Sequence, residues 1–90
     1  MKFYTYILSC ADGSYYTGYT NNLIKRVQTH NTGRGSKYTR SRRPVHLVYY
    51  KEFENKHDAM SWEAIIKNRM NHQQKRELIE KSKINLYNIK

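Results

Sequence analysis

Residues Phe3 to Ser9 and Ser14 to Tyr19 carry β-branched and aromatic side chains, and Ala11-Asp12-Gly13 between them has turn chemistry. The pattern predicts a β-hairpin. A two-residue Asp12-Gly13 turn would pair residue 9 with residue 16 and send Tyr6 and Tyr16 to opposite faces. A three-residue loop with Gly13 in the left-handed region pairs residue 8 with residue 16 and puts both phenols on one face. The three-residue loop is expected. Thr20 or Asn21 then caps a helix with Leu23, Ile24 and Val27 as its apolar stripe, running to about His30. Gly33 and Gly35 end that pattern.

From Arg34 to Arg43 the chain has five cations, one tyrosine and no hydrophobic period, so an exposed loop is expected, stopped by Pro44. Val45 to Phe53 alternates again and predicts a third strand. Asn55 with Asp58 resembles a capping box and opens a second helix to about Asn68. Asn71 with Gln74 repeats that signal for a third helix near residues 72–82. Residues 84–90 form a tail too short to assign. The order β-β-α-β-α-α within residues 1–83 makes one α+β domain, a small antiparallel sheet flanked by helices.

Ninety residues allow one modest core, so any function sits on a single scaffold. Seventeen Lys and Arg against seven Asp and Glu give a net charge of +10, which attracts polyanions and makes nucleic acid the leading partner. A membrane partner would need a basic amphipathic helix with a broad apolar face, a lipidation signal or a spanning segment, and none is found. Met1 to Tyr6 passes directly into a strand pattern without a secretory signal, so a cytoplasmic protein is expected. Cys10 is the only cysteine, which leaves no internal disulfide and no thiolate cluster; it reads as a small residue at a strand end. Nine tyrosines against two phenylalanines put more hydroxyls on the sheet than packing alone needs, although edge-strand tyrosines account for many.

Tyr4-Thr5-Tyr6, then Tyr16-Thr17-Gly18, Arg26 and His30 on the next helix and Glu63 on a later one resemble the GIY-YIG nuclease family. To about residue 83 the chain is similar to its small single-domain bacterial members of the UPF0213 type, including Lys37-Tyr38-Thr39-Arg40-Ser41-Arg42-Arg43-Pro44. The resemblance implies a three-stranded antiparallel sheet flanked by helices, an active site on the sheet surface, and hydrolysis of DNA phosphodiesters. The first motif keeps only its final tyrosine, and Thr17 replaces isoleucine in the second. Neither change falls on a position with a catalytic role in the family. Asn68 is similar in position to a late family asparagine near the site, but an ordinary helix-end asparagine is the plainer reading.

On spacing alone, Arg26 is one of many solvated cations and His30 a helix-end histidine sharing its side. Ala59, Trp62, Ile66 and Met70 form the apolar stripe of the second predicted helix, and Glu63 falls at its core-facing margin, where a carboxylate needs a cation or a metal. A buried salt bridge to one of the many cations would satisfy it equally. The resemblance turns these residues into a site. By that resemblance Glu63 would hold one Mg²⁺ or Mn²⁺, to act as a Lewis acid on phosphate and leaving oxygen. Tyr6 is expected as the general base, helped by Tyr16, and Arg26 is expected to pair with the phosphate. His30 is expected to hydrogen-bond Tyr16 or relay a proton. A free phenol titrates near about 10, so a field from Arg26 and the metal is expected to favour phenolate.

Arg34, Lys37, Arg40, Arg42 and Arg43 are expected to contact phosphates, and Tyr38 to stack on an exposed base. A flexible charged surface loop is the plainer reading. Two further functions stay open: a basic nucleic-acid-binding module that does not cut, and an RNA- or ribosome-associated accessory protein. A partner protein that supplies targeting is a further possibility for so small a domain.

Overall fold

The computed structural model describes the backbone of residues 1–88 and the side chains of residues 1–82. Strands β1 (Phe3–Ser9) and β2 (Tyr15–Thr20) are followed by helices α1 (Leu23–Asn31) and α2 (Lys37–Arg40), strand β3 (His46–Phe53), and helices α3 (Lys56–Arg69) and α4 (His72–Asn88). The sheet is antiparallel in the order β2-β1-β3, so β1 is the central strand. Among the described residues no helix is long and apolar enough to cross a membrane.

The hairpin has the expected three-residue loop. Leu8 pairs with Tyr16 and Tyr6 with Gly18, while Gly13 takes φ +86° and its amide donates to Cys10 O at 3.0 Å. Strand alternation then makes two cores. On one face Tyr6, Leu8, Cys10 and Val45 pack with Tyr16 and with Leu23 and Val27 of α1. On the other, Ile7 and Tyr49 pack with Ile66 of α3 and Ile79 of α4, with Trp62 and Met70 alongside. Two polar ties fix α3 to that second face: Thr5 Oγ1 donates to Ala59 O at 2.6 Å, and the Trp62 indole donates to Tyr49 Oη at 3.0 Å. A bulge shifts the β1–β3 register between Ile7 and Leu8, so Leu8 meets Leu47 while Ile7 meets Tyr49.

Both predicted capping signals are present. Asn55 Oδ1 accepts from Asp58 N at 2.8 Å, and Asn71 and Gln74 bond reciprocally, each side chain accepting from the other's amide at 2.8 and 2.9 Å.

Four expectations are corrected. Asn22, not Thr20 or Asn21, caps α1, its side chain accepting from Lys25 N at 3.1 Å. Thr20 instead bonds the Asn22 amide through its hydroxyl, which holds the entry turn. Ile24 is 76% exposed; the inward stripe of α1 is Leu23, Val27 and His30, and Ile24 lies about 100° away from its first member. The segment expected to be an irregular loop contains α2, capped by Ser36 Oγ accepting from Thr39 N at 3.1 Å, which makes the order β-β-α-α-β-α-α. Finally, α4 runs to Asn88, past residue 82 and through most of the predicted tail; residues 89–90 lie outside the described residues.

Candidate active site

Tyr6 sits on the central strand, 2% exposed, directly opposite Gly18. Its ring crosses over β2, and a Cβ added at Gly18 would lie 2.6 Å from Tyr6 Oη. The glycine of Tyr16-Thr17-Gly18 is therefore the floor on which the phenol rests. Tyr16, two residues before it, faces the same side, with its ring centroid 6.5 Å from that of Tyr6.

His30 lies behind the two phenols, 1% exposed, its ring 5.0 Å from Tyr16 and 6.1 Å from Tyr6. Its Nε2 is 3.0 Å from Tyr6 Oη and its Nδ1 is 2.8 Å from Thr39 Oγ1. The hydrogen-bond partner is thus Tyr6, not the expected Tyr16. The geometry follows from register: Tyr6 stands across from Gly18 and reaches over it, whereas Tyr16 meets His30 ring against ring. Gly35 closes the other side, since a Cβ there would collide with His30 Nδ1.

Burial first, and then the Arg26 charge, hold the His30 imidazole below its usual range, so the neutral ring is favoured. Burial also pushes the Tyr6 phenol well above the ordinary range, with Tyr16 and Glu63 adding to the rise and Arg26 opposing it. Arg26 alone does not bring the phenol down toward phenolate. Desolvation outweighs the single guanidinium.

Tyr6, Tyr16, Gly18, Arg26, Lys56 and Glu63 line one hollow of about 500 Å³ with a largely polar surface. Arg26 comes to it from α1 and Glu63 from α3, so two helices on different faces of the sheet meet at its edge. The Glu63 side chain is 18% exposed, and its ion-pair partner among the described residues is Lys67 at 3.7 Å, one helical turn on and half exposed. That separation exceeds the roughly 2.7–2.9 Å of a charge-assisted hydrogen bond. Lys67 also approaches the Tyr16 ring, at 5.9 Å. Asn68 is exposed and outside the hollow.

Among the described residues, no three His, Cys, Asp or Glu side chains converge as a metal cage. Both nitrogens of His30 are engaged, which leaves the Glu63 carboxylate as the donor. One anionic oxygen facing a polar hollow suits a hard ion that keeps most of its water, as Mg²⁺ and Mn²⁺ do, and not one that needs thiolates or several imidazoles.

The basic segment divides. Arg42 bonds Asp12 at 2.8 Å and Tyr38 O at 2.8 Å, and its guanidinium lies 4.0 Å above the Tyr38 ring. It ties the hairpin loop to α2 and covers one face of the tyrosine expected to stack on a base. Arg43 donates to Arg40 O and Asn31 O, and Arg40 to Gly33 O, so these two brace the backbone and have no ion-pair partner among the described residues. Arg34 and Lys37 are exposed. Sequence reasoning missed Thr39, Gly35, Lys56 and Lys67; the two glycines that crowd Tyr6 and His30 were visible only as helix or motif punctuation.

A model of the GIY-YIG catalytic domain matches residues 2–77. A UPF0213 protein of Pediococcus pentosaceus is 51% identical over 88 residues, covering 98% of this chain and 92% of its own. A UPF0213 protein of Streptococcus pyogenes serotype M5 is 55% identical over 74 residues, 82% of this chain and 80% of its own. The solution structure of a UPF0213 protein from Bacillus halodurans superposes with a TM-score of 0.57 at 44% identity, covering 89% of this chain and 84% of that one. A second solution structure, from E. faecalis, gives 0.63 at 35% identity over 93% and 88%.

Proposed function

This chain belongs to the GIY-YIG family, whose domain is that of a nuclease superfamily, and from that membership we propose that it is a divalent-metal-dependent endonuclease hydrolysing phosphodiester bonds in DNA. The observation that carries the reading is the convergence of two phenols, a guanidinium and a carboxylate on one polar hollow. Binding alone requires neither the buried Tyr6–His30 pair nor Glu63.

Glu63 would hold the ion, which when bound supplies Lewis-acid polarisation of the phosphate and its leaving oxygen. Tyr6 works here as a protonated phenol. Its oxygen takes a proton from the attacking water while its own hydrogen passes to His30 Nε2, 3.0 Å away, so no free phenolate has to form in a buried site. The neutral His30 favoured by burial is the form able to accept that proton. Arg26, at the mouth of the hollow, pairs with the phosphate as negative charge builds. Tyr16 orients the water. Arg34, Lys37, Arg40 and Arg43 draw in the polyanion.

The test is a panel of labelled DNA and RNA structures incubated with Mg²⁺, Mn²⁺ or chelator, comparing wild type with Glu63→Ala and Tyr6→Phe. Chelator is expected to stop cutting by the wild type, and both variants should bind with unchanged salt dependence while cutting at least about 100-fold more slowly. Binding that is salt-dependent with no cleavage under any condition would instead establish a basic binding module, with Glu63 tied to Lys67. A preference for structured RNA over DNA of equal length would favour the accessory-protein reading.

A further inference from the structure

Thr39 is the buried residue of α2, at 0% exposure, on a four-residue helix whose other positions are exposed. Its Oγ1 stands 2.8 Å from His30 Nδ1, 3.0 Å from Ser36 Oγ and 3.4 Å from Ser36 O. Gly35 closes over the same ring nitrogen so tightly that a methyl group would not fit, and Thr39 is the partner Nδ1 has among the described residues. A buried hydroxyl aimed at a histidine held this way does more than fill space.

Three hydrogens must be placed: one on Tyr6 Oη, one on the neutral imidazole and one on Thr39 Oγ1. If Tyr6 donates to Nε2, then Nδ1–H donates to Thr39, and Thr39 donates on to Ser36, so each hydrogen has a protein acceptor. If Thr39 instead donates to Nδ1, then Nε2–H must donate to Tyr6 Oη, and the phenol hydrogen has no acceptor among the described residues. The first arrangement matches every donor within the protein, which favours it over the second. We infer that Thr39 is a positioning residue that fixes His30 in the tautomer protonated on Nδ1, presenting the Nε2 lone pair to the Tyr6 hydroxyl.

The value of this to catalysis rests on the reading that His30 receives the Tyr6 proton; the tautomer itself does not. Nitrogen-15 shifts of the His30 ring in uniformly labelled protein distinguish a protonated from a lone-pair nitrogen, with no substrate present. Wild type and Thr39→Ser should both show Nδ1 protonated. Tyr6→Phe should show the same, because an Nε2–H would then have no acceptor among the described residues while Nδ1–H still has Thr39. Thr39→Val should shift the ring toward Nε2 protonation and slow cleavage at least about tenfold, with Thr39→Ser restoring it. A wild-type ring protonated on Nε2 would overturn the inference without any variant being needed. So would wild-type ring shifts in a folded Thr39→Val. Tautomers as inferred, in a protein that cuts nothing, would uphold Thr39 and defeat the endonuclease reading.

Discussion

At Gly18 one methyl group would displace the Tyr6 phenol from where it rests. The Gly18→Ala side chain would meet Tyr6 Oη at 2.6 Å, so either the ring or the strand must shift. We expect a loss of about 1–3 kcal/mol, measured by urea denaturation, together with loss of cutting. His30 supplies a pH signature of known sign. Its folded value is depressed by burial and by Arg26, below the ordinary value of about 6.5. The unfolded chain therefore takes up the proton first, so the stability due to the neutral ring is full above pH ~6.5 and is lost as pH falls from there through the folded value. Comparing wild type with His30→Gln by denaturation at about pH 8 and about pH 5 should show the wild-type advantage shrinking at the lower pH. The acid limb of kcat/KM should likewise lie below pH ~6.5; a limb well above it would mean that His30 is not the proton acceptor.

At the scale of elements, one side chain at the end of α1 holds the residue that leads into β3. Asn31 donates to Val45 O at 3.0 Å and accepts from Val45 N at 2.7 Å, standing in for a strand neighbour where β3 begins. Asn31→Ala leaves two part-buried backbone groups unmatched and should cost about 1–3 kcal/mol; Asn31→Asp keeps one bond and should cost less. Hairpin register was legible in the sequence because Gly13 and the two tyrosine positions allow only one loop length that keeps both phenols on a face. The two capping boxes were legible for the same reason, each being a local side-chain-to-amide bond. What could not be read was long-range: α2 exists because Thr39 finds His30, and Ile24 is exposed because His30 takes its place in the inward stripe. Neither partner is a hydrophobe, so no periodicity marks them.

For the whole molecule, the proposed activity has charge govern approach and a bound ion govern chemistry. Arg42 is paired with Asp12, so the basic segment's pull on a polyanion comes from its other cations. Replacing Arg34 and Lys37 by Gln should weaken DNA binding uniformly across sequences and reduce the slope of log affinity against log salt by about one for each phosphate no longer neutralised. An unchanged slope would place the nucleic acid elsewhere. The convergence at the hollow was visible from the sequence only through family positions, because Arg26 and Glu63 sit on helices applied to different faces of the sheet.

With β1 bonded along both edges, the amide of Tyr6 can exchange with solvent deuterium only when a neighbouring strand peels away, whereas helix α3 can lift without breaking the sheet. The phenol is thus expected to belong to a more slowly opening unit than the carboxylate. Warming should therefore loosen the acidic half of the hollow while the tyrosine half persists, and an added divalent ion should slow exchange in α3 more than in β1.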